Sequence, residues 1–414
     1  MKDKELNQRR SRIKICIFPN DPLLAYHTKG EIKQGYFNPK DFFDEVHIIS
    51  LFDEEIEADK VKQLAGNATL DIHKIEKVDL SNFKLFEERI SSLVKLINPA
   101  IIRSYNPRVQ GWLAVKAGQK LAIPTVISLH TNYDQQRLEA FKEQGIKQYL
   151  KLLYAKKLER YCLENADAII CVYEYILPYA KKLGAYNPQV IYNKIDLNNF
   201  KPQQKSDSRQ IISIGRLTNQ KPHHLIIQAM AYLNANLLII GDGPNFNSLQ
   251  KLIKHLELPT KVQIIKSVAN EDIPKYLVAS TVYVQPMNNL DGIPIPVLEA
   301  MASGLPVVMS KHSNKYSEIT DRAIHFVDNN PKSFASSIRP LLLYKNYRKI
   351  WSEKSLEVIN QISGEKMEDK ELSLYKEVIN KRIPGLIDYC FYCKQKIVET
   401  VENHIKAIHP EALL

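Results

Sequence analysis

The segment 291–308 reads DGIPIPVLEAMASGLPVV and sets two carboxylates, Asp291 and Glu299, eight positions apart. Pro294 and Pro296 hold the residues before them extended, so no helix runs through them. The spacing predicts a helix whose first residue is Pro296, where a missing N–H costs nothing. That helix carries Glu299 in its first turn and stops at Gly304, and LPVVMS follows as a short buried strand. At about 3.3 Å per extended residue, the two acids lie on the order of 10–20 Å apart. They are too far apart to share a proton. They can instead grip the two ends of one long ligand whose anionic middle meets the helix N-terminus. A plain turn acid and a dipole-complementing acid explain the same two residues, so the rest of the chain must decide.

GRLTNQKP places Arg216 just after an apolar run and Lys221 five residues on. Both project from a strand-to-helix loop, where a guanidinium clamps phosphate oxygens bidentately and an ammonium adds a point charge. Solvated surface cations are the alternative. GDGP, 241–244, is a second strand-end turn and weak by itself, because such turns are common. In the first half, His130 in SLHTNYD directly follows a predicted strand, with Asn132 and Asp134 close by. A lone histidine at a strand end is commonly structural, and that reading stands beside a functional one.

A different chemistry closes the chain. CFYCKQKIVETVENHIKAIH contains Cys390, Cys393, His404 and His409 in a C-x2-C-x10-H-x4-H array. Thiolates and imidazoles at these intervals suit a tetrahedral Zn²⁺ site, with Ile397 and Val401 as a small core and a helix over 398–408 presenting both histidines. The loop is two residues shorter than in the usual finger. Residues 385–414 carry three lysines against four acids, which argues against nucleic acid and for a structural or protein-docking module. Cys16, Cys162 and Cys171 lie in or beside apolar segments and read as small core residues. Nothing resembles a secreted disulfide framework, so a reducing compartment is expected.

These groups need a scaffold. A chain of 414 residues, 44% apolar and 25% charged, is an ordinary globular protein whose natural division is two domains. No run approaches about 18 apolar residues, so no membrane span is expected. The basic start MKDKELNQRRSR lacks the apolar core of a signal peptide and reads as a loose arm over 1–11. The net charge of +11 admits nucleic acid, an anionic membrane surface or a phosphorylated ligand. KICIFPN, EVHIISLF, AIIRSYN, PTVISLH and AIICVYE read as strands alternating with amphipathic stretches, which argues for a parallel helix-covered sheet over 12–192. A polar linker occupies 193–210. A second unit of the same kind fills 211–362, and 363–384 is a helical segment ahead of the tail at 385–414. The fold class expected is α/β: two Rossmann-like doubly wound domains facing a cleft, plus the small zinc-binding tail.

In order and spacing, GRLTNQK, LLIIGDGP, IPKYLVASTVYVQPM and DGIPIPVLEAMASGLPVV resemble the donor domain of family 4 retaining glycosyltransferases. ADAIICVYEYI and VIYNKIDLNNF resemble that family's approach to its interdomain linker, and the likeness spans about 12–380. It implies the GT-B fold and a nucleotide-diphosphate sugar donor. In the family an E-x7-E pair brackets the donor. Glu299 would then take the ribose hydroxyls, Asp291 the transferring sugar, and Arg216 and Lys221 the diphosphate, with Gly292 and Ile293 beside the donor. Asp291 departs from the family's glutamate by one methylene, which leaves the sugar open. His130 matches a family histidine that faces donor sugar and acceptor. The family's Gly-Gly phosphate turn is replaced by AYHTKGEIKQGYFNP, in which Gly30 or Gly35 would serve, with Asn132 a further candidate.

The implied activity is retaining transfer to a glycan or lipid-linked acceptor, as in polysaccharide biosynthesis. Cations and a helix dipole replace a catalytic metal. The rival is an inactive GT-B scaffold, or a nucleic-acid-associated protein acting through its finger; a phosphorylase on the same fold is a lesser alternative, disfavoured because this chain shows no cofactor-anchoring lysine motif. Residues 135–160 carry seven Lys or Arg against three Glu, with Leu150, Leu153, Tyr154, Leu158 and Tyr161 at helical spacing. A core helix with a basic outer face is favoured over one lying on an anionic membrane. The location implied is cytoplasmic, or peripheral at the inner membrane face.

Overall fold

The structure, a computed structural model, describes residues 12–28, 32–135, 137, 141, 146–202, 208–288, 292–311 and 318–382. The basic arm, Gly30, Asp291 and the four tail ligands Cys390, Cys393, His404 and His409 lie outside them.

The chain divides into two units. One holds the described residues of Met1–Val172, Ile176–Ile191 and Glu368–Leu414; the other comprises Tyr173–Tyr175 and Tyr192–Met367. In the first, the described strands are β1 (Lys14–Phe18), β2 (Glu45–Ser50), β3 (Thr69–Lys74), β4 (Ile101–Ser104), β5 (Thr125–Leu129), β6 (Ala168–Cys171) and β7 (Gln189–Val190). They form one sheet in the order β3-β2-β1-β4-β5-β6-β7, and every pairing is parallel. Its described helices include α1 (Leu23–Thr28), α2 (Glu87–Ile97), α3 (Val109–Leu121), α4 (Ile146–Asn165) and α5 (Leu177–Lys182).

The second unit repeats the plan with β8 (Gln210–Ile214), β9 (Asn236–Ile240), β10 (Val262–Ile265), β11 (Val282–Gln285), β12 (Val307–Ser310) and β13 (Ile324–Val327). Their order is β10-β9-β8-β11-β12-β13, again parallel throughout. Its helices are α6 (His223–Ala229), α7 (Phe246–His255), α8 (Ile273–Val278), α9 (Ile295–Ala302), α10 (Pro331–Leu343) and α11 (Lys345–Gln361). Both sheets therefore reverse strand order once, between β1 and β4 and between β8 and β11, as doubly wound folds do.

The strands form where the sequence is apolar on both faces. All residues of β4, β5, β6, β11 and β12 are buried, because helices cover both sides of a parallel sheet. Val282, Val284 and Val308 join Ile226, Ile227, Phe334 and Ile338 in the second unit's core. Three strands were not expected from the sequence. β3 reads TLDIHK and is half polar; an edge strand needs cover on one face only, so its apolar signal is weak. β7 has two residues and β13 four, and both are specified mainly by their neighbours.

The last described helix, α12 (Gly364–Arg382), returns to the first unit from Glu368 onward. Tyr375 and Glu371 are buried, and the Tyr375 hydroxyl donates to Glu371 at 2.6 Å. Glu371 lies 3.6 Å from the buried Arg103 guanidinium of β4, and Phe43 packs 6.0 Å from the Tyr375 ring. Removing this ring should open a cavity beside a buried ion pair. Tyr375→Ala is expected to lower stability by about 3–5 kcal/mol, read as an earlier denaturant midpoint for the first unit's transition.

Candidate functional site

The second unit's sheet changes direction between β8 and β11, and the loops leaving these strands hold the cationic residues. Gly215 directly follows β8 and donates to the Ile240 carbonyl at 2.9 Å, while Leu217 donates to Asp242 at 2.9 Å. Gly241 ends β9 so close to Gly215 that a Cβ there would stand 2.0 Å from the Gly215 carbonyl oxygen. Backbone blocks any side chain at 241, which gives the GDGP turn a packing role. The sequence left that turn without one.

Arg216 is exposed on this loop. Lys221 folds back across the strand end, its Nζ 2.7 Å from where a Cβ on Gly215 would sit. Burial lowers the Lys221 pKa from its ordinary value. The loop is held from both sides. The Lys221 carbonyl accepts from the His223 N–H at 2.7 Å and from His223 Nδ1 at 2.9 Å. Asn288, three residues before Asp291, donates its N–H to Gln220 at 2.9 Å and its amide to Asn219 at 2.6 Å. Ser310 at the end of β12 accepts from the Met287 N–H at 2.7 Å. The chain entering the segment that contains Asp291 is thus fastened to the loop that carries Arg216 and Lys221.

Glu299 needs a correction. Helix α9 begins at Ile295, not Pro296, and no acid stands in its first turn. Glu299 is its fifth residue, one turn further in. The first turn tolerates Pro296 because its N–H groups have no partner within the helix, so the helix extends one residue upstream. Glu299 is therefore not a dipole-complementing first-turn acid. It is buried, at 5% exposure, and its charge, after burial itself, helps to raise the pKa of the Tyr283 hydroxyl. That hydroxyl lies 3.2 Å from the Ile214 carbonyl at the end of β8 and 2.9 Å from Gln285.

Gly292 has φ +83 and faces the Tyr173 ring at 2.5 Å from its would-be Cβ. Ile293 is buried, and its carbonyl accepts from the Tyr173 hydroxyl at 2.9 Å, which itself accepts from Asn193 at 2.9 Å. Tyr173–Tyr175 belong to this unit because buried Glu318 holds them. Its carboxylate accepts from the Glu174 and Tyr175 N–H groups at 3.1 and 2.9 Å and from the Tyr192 hydroxyl at 3.0 Å. Tyr173, Asn288 and Glu318 were invisible to sequence reasoning, since more than a hundred residues separate Tyr173 from Ile293 and Glu318 from Tyr175.

In the first unit, His130 follows β5 directly. Its ring stacks on Tyr105 at 6.1 Å, and Tyr105 on Tyr36 at 5.6 Å. Burial, then the charge of Arg103, lowers the His130 pKa from 6.5 to about 4. The imidazole is neutral at pH 7, with Nε2 buried and without a hydrogen-bond partner among the described residues. Asn132 caps a turn, its side chain accepting from the Asp134 N–H at 3.1 Å. Asp134 is engaged by Arg137 at 2.8 Å and Lys156 at 2.7 Å. The Gly35 N–H donates to Gln63 at 2.8 Å, so that group is occupied in a turn. Helix α4 divides its apolar residues: Leu158 is buried, while Leu150, Leu153 and Tyr154 are exposed. Its Glu159 is fully buried against Arg137 at 2.8 Å.

Two family models match this chain in succession: Glycosyltransferase Family 4 over residues 44–199 and Glycosyl transferases group 1 over residues 194–358. The chain is a GT-B glycosyltransferase of the group 1 and family 4 type. An Escherichia coli relative, UDP-Gal:alpha-D-GlcNAc-diphosphoundecaprenol alpha-1,3-galactosyltransferase, is 27% identical over 72% of this chain and 80% of its own. Among solved structures, sucrose-phosphate synthase from Thermosynechococcus elongatus aligns with a TM-score of 0.68 at 15% identity, covering 89% of this chain and 100% of its own. Anabaena HepE in complex with UDP aligns with a TM-score of 0.68 at 15% identity over 88% and 100% of the two chains. These two share the glycosyltransferase's fold. No helix among the described residues is long and apolar enough to cross a membrane.

His223, at the start of α6, offers a pH test of the cationic loop. Burial lowers its pKa from 6.5 to about 4, so the unfolded chain takes up the proton first as pH falls. Its stabilising contribution is complete above pH 6.5 and is lost on descending to about 4, on the order of 3 kcal/mol in all. The enzyme's melting temperature should fall over this window more steeply than that of His223→Gln.

Proposed function

We propose that this glycosyltransferase moves a sugar from a nucleoside diphosphate donor, with retention of configuration, to a glycan or lipid-linked acceptor. The observation that carries the reading is the Lys221 ammonium held across Gly215 at the end of β8, with Arg216 on the same loop. Two cations at a switch point suit a departing diphosphate, whose developing charge they stabilise without a metal ion. Glu299, buried one turn into α9, takes the ribose hydroxyls, and Asp291, three residues after the Asn288 that is fastened to the loop, takes the sugar. Gly292 and Ile293 shape the wall beside them. His130, neutral at pH 7, offers Nε2 to a substrate hydroxyl. The printed name of the Escherichia coli relative, with its UDP-sugar and its diphosphoundecaprenol-linked acceptor, supports this choice of substrates, as does the UDP bound to HepE.

The test is thermal unfolding against nucleoside diphosphates and their sugars. A bound nucleotide at about a hundred times its Kd stabilises by about 2.7 kcal/mol. One nucleotide should raise the melting temperature, and Lys221→Ala and Glu299→Ala should each remove that rise. If no nucleotide shifts the wild type, or if the variants respond as it does, the donor reading fails. NMR of the product should show the donor's anomeric configuration; inversion would defeat the retaining mechanism.

We infer as well that Cys390, Cys393, His404 and His409 hold a structural zinc ion. The support is their spacing and ligand types. Metal analysis of Cys390→Ser is expected to show one zinc fewer per chain than the wild type; an unchanged content refutes the site.

A further inference from the structure

The first unit carries a second cluster of metal-ligating groups, unconnected with the donor site. β2 and β3 pair in parallel with His47 opposite Asp71 and Ile49 opposite His73. Alternation along each strand puts Glu45 and His47 on one face of β2, and Asp71 and His73 on one face of β3. At this sheet edge His47 Nδ1 lies 3.1 Å from His73 Nε2 and 3.6 Å from an Asp71 carboxylate oxygen. His47 Nε2 lies 3.1 Å from a Glu45 carboxylate oxygen. Glu45 in turn receives Arg12 and Lys14, each at 3.2 Å.

The Glu45 partnership determines the tautomer. A carboxylate flanked by two cations is an acceptor, so His47 donates from Nε2 and keeps its Nδ1 lone pair toward His73 and Asp71. In a tetrahedral site with bonds of about 2.0–2.2 Å, neighbouring donor atoms stand about 3.3 Å apart. The two separations from His47 Nδ1, 3.1 and 3.6 Å, bracket that value; the trio whose ligand atoms all lie within 4.8 Å of one another is Glu45, His47 and Asp71, so His73 must turn toward Asp71 to complete the set. A carboxylate behind a liganding histidine is the arrangement that orients imidazoles at zinc sites and raises their basicity. Without a metal, His73 Nε2–H donates to His47 Nδ1. With one, that proton moves to His73 Nδ1 and Nε2 becomes a ligand.

We propose that His47 Nδ1, His73 Nε2 and Asp71 form a binding site for a first-row divalent transition metal, zinc by ligand type, with Glu45 as the residue that positions His47. Two imidazoles and one carboxylate leave a fourth position to water, and the half-exposed side chain of Asp71 leaves that position accessible. The ion clips edge strand β3 to β2.

The experiment uses the full chain bearing Cys390→Ser and Cys393→Ser, titrated with Co²⁺ and followed by absorbance. Binding here is expected at one equivalent, with weak visible d–d bands and no thiolate charge-transfer band. His73→Ala and Asp71→Asn should each weaken it at least tenfold, and Glu45→Gln about 10–100-fold, with unchanged melting temperatures in chelator confirming that the variants fold. Zn²⁺ should raise the melting temperature of the parent and not of His73→Ala. No uptake by the double cysteine variant would overturn the site, as would uptake that survives His73→Ala. Uptake insensitive to Glu45→Gln would overturn the positioning role.

Discussion

The donor half of this enzyme depends on a close approach of two backbones. At the ends of β8 and β9, Gly241 comes within van der Waals exclusion of the Gly215 carbonyl, which brings the two strand-end loops into one layer. Because Gly215 has no side chain, Lys221 can lie across the strand end. At Gly241 such sterics cannot be relaxed cheaply, since the obstruction is main chain rather than the tip of a flexible side chain. The electrostatics follow from the packing. A partly buried ammonium therefore shares one loop with the exposed Arg216 guanidinium.

Polar anchors then tie separate stretches of the second unit to this point. Asn288 fastens the segment toward Asp291 to the loop of Lys221. Tyr173 holds the Ile293 carbonyl, and Glu318 holds the chain on either side of Tyr175 through two backbone N–H groups and the Tyr192 hydroxyl. Burial raises the Glu318 pKa even against those donors, so a carboxylate here is retained for what it binds. Each anchor satisfies backbone groups in a loop that would otherwise be desolvated without partners. These loops are therefore held by side-chain anchors as well as by their own backbone.

The first unit uses buried charge differently. Arg103 on β4 sits between Glu371 of α12 and the aromatic rings of Tyr105 and Tyr375. From there its charge helps to keep His130 neutral. Arg137 and Glu159 form a second buried pair that fastens α4. Neither pair is needed for hydrophobic collapse, and each is costly to break once one partner is removed. Such pairs select one packing of helix on sheet among several of similar apolar area. At the sheet edge, His47 and its partners form a third polar cluster with no part in either task.

The sequence by itself determined the architecture. Apolar runs at strand length, separated by amphipathic stretches and turn residues, are enough for two parallel helix-covered sheets, because burial on both faces leaves a strong local signal. The order of GRLTNQK, GDGP and the 291–308 segment also marked loops that follow strands, as the structure has them after β8 and β9, since in this fold such loops leave the C-terminal ends of strands. Local patterns failed where neighbours decide. The half-polar β3 is a strand because β2 pairs with it, and α9 starts one residue early because its first turn has no internal hydrogen bonds to lose. Only the tertiary structure decided the burial of Glu299, the hold of Glu318 on residues more than a hundred positions away, the depressed basicity of His130 and His223, and the meeting of His47 with His73. Each depends on contacts between distant residues and on burial, and neither is written in the spacing of nearby side chains.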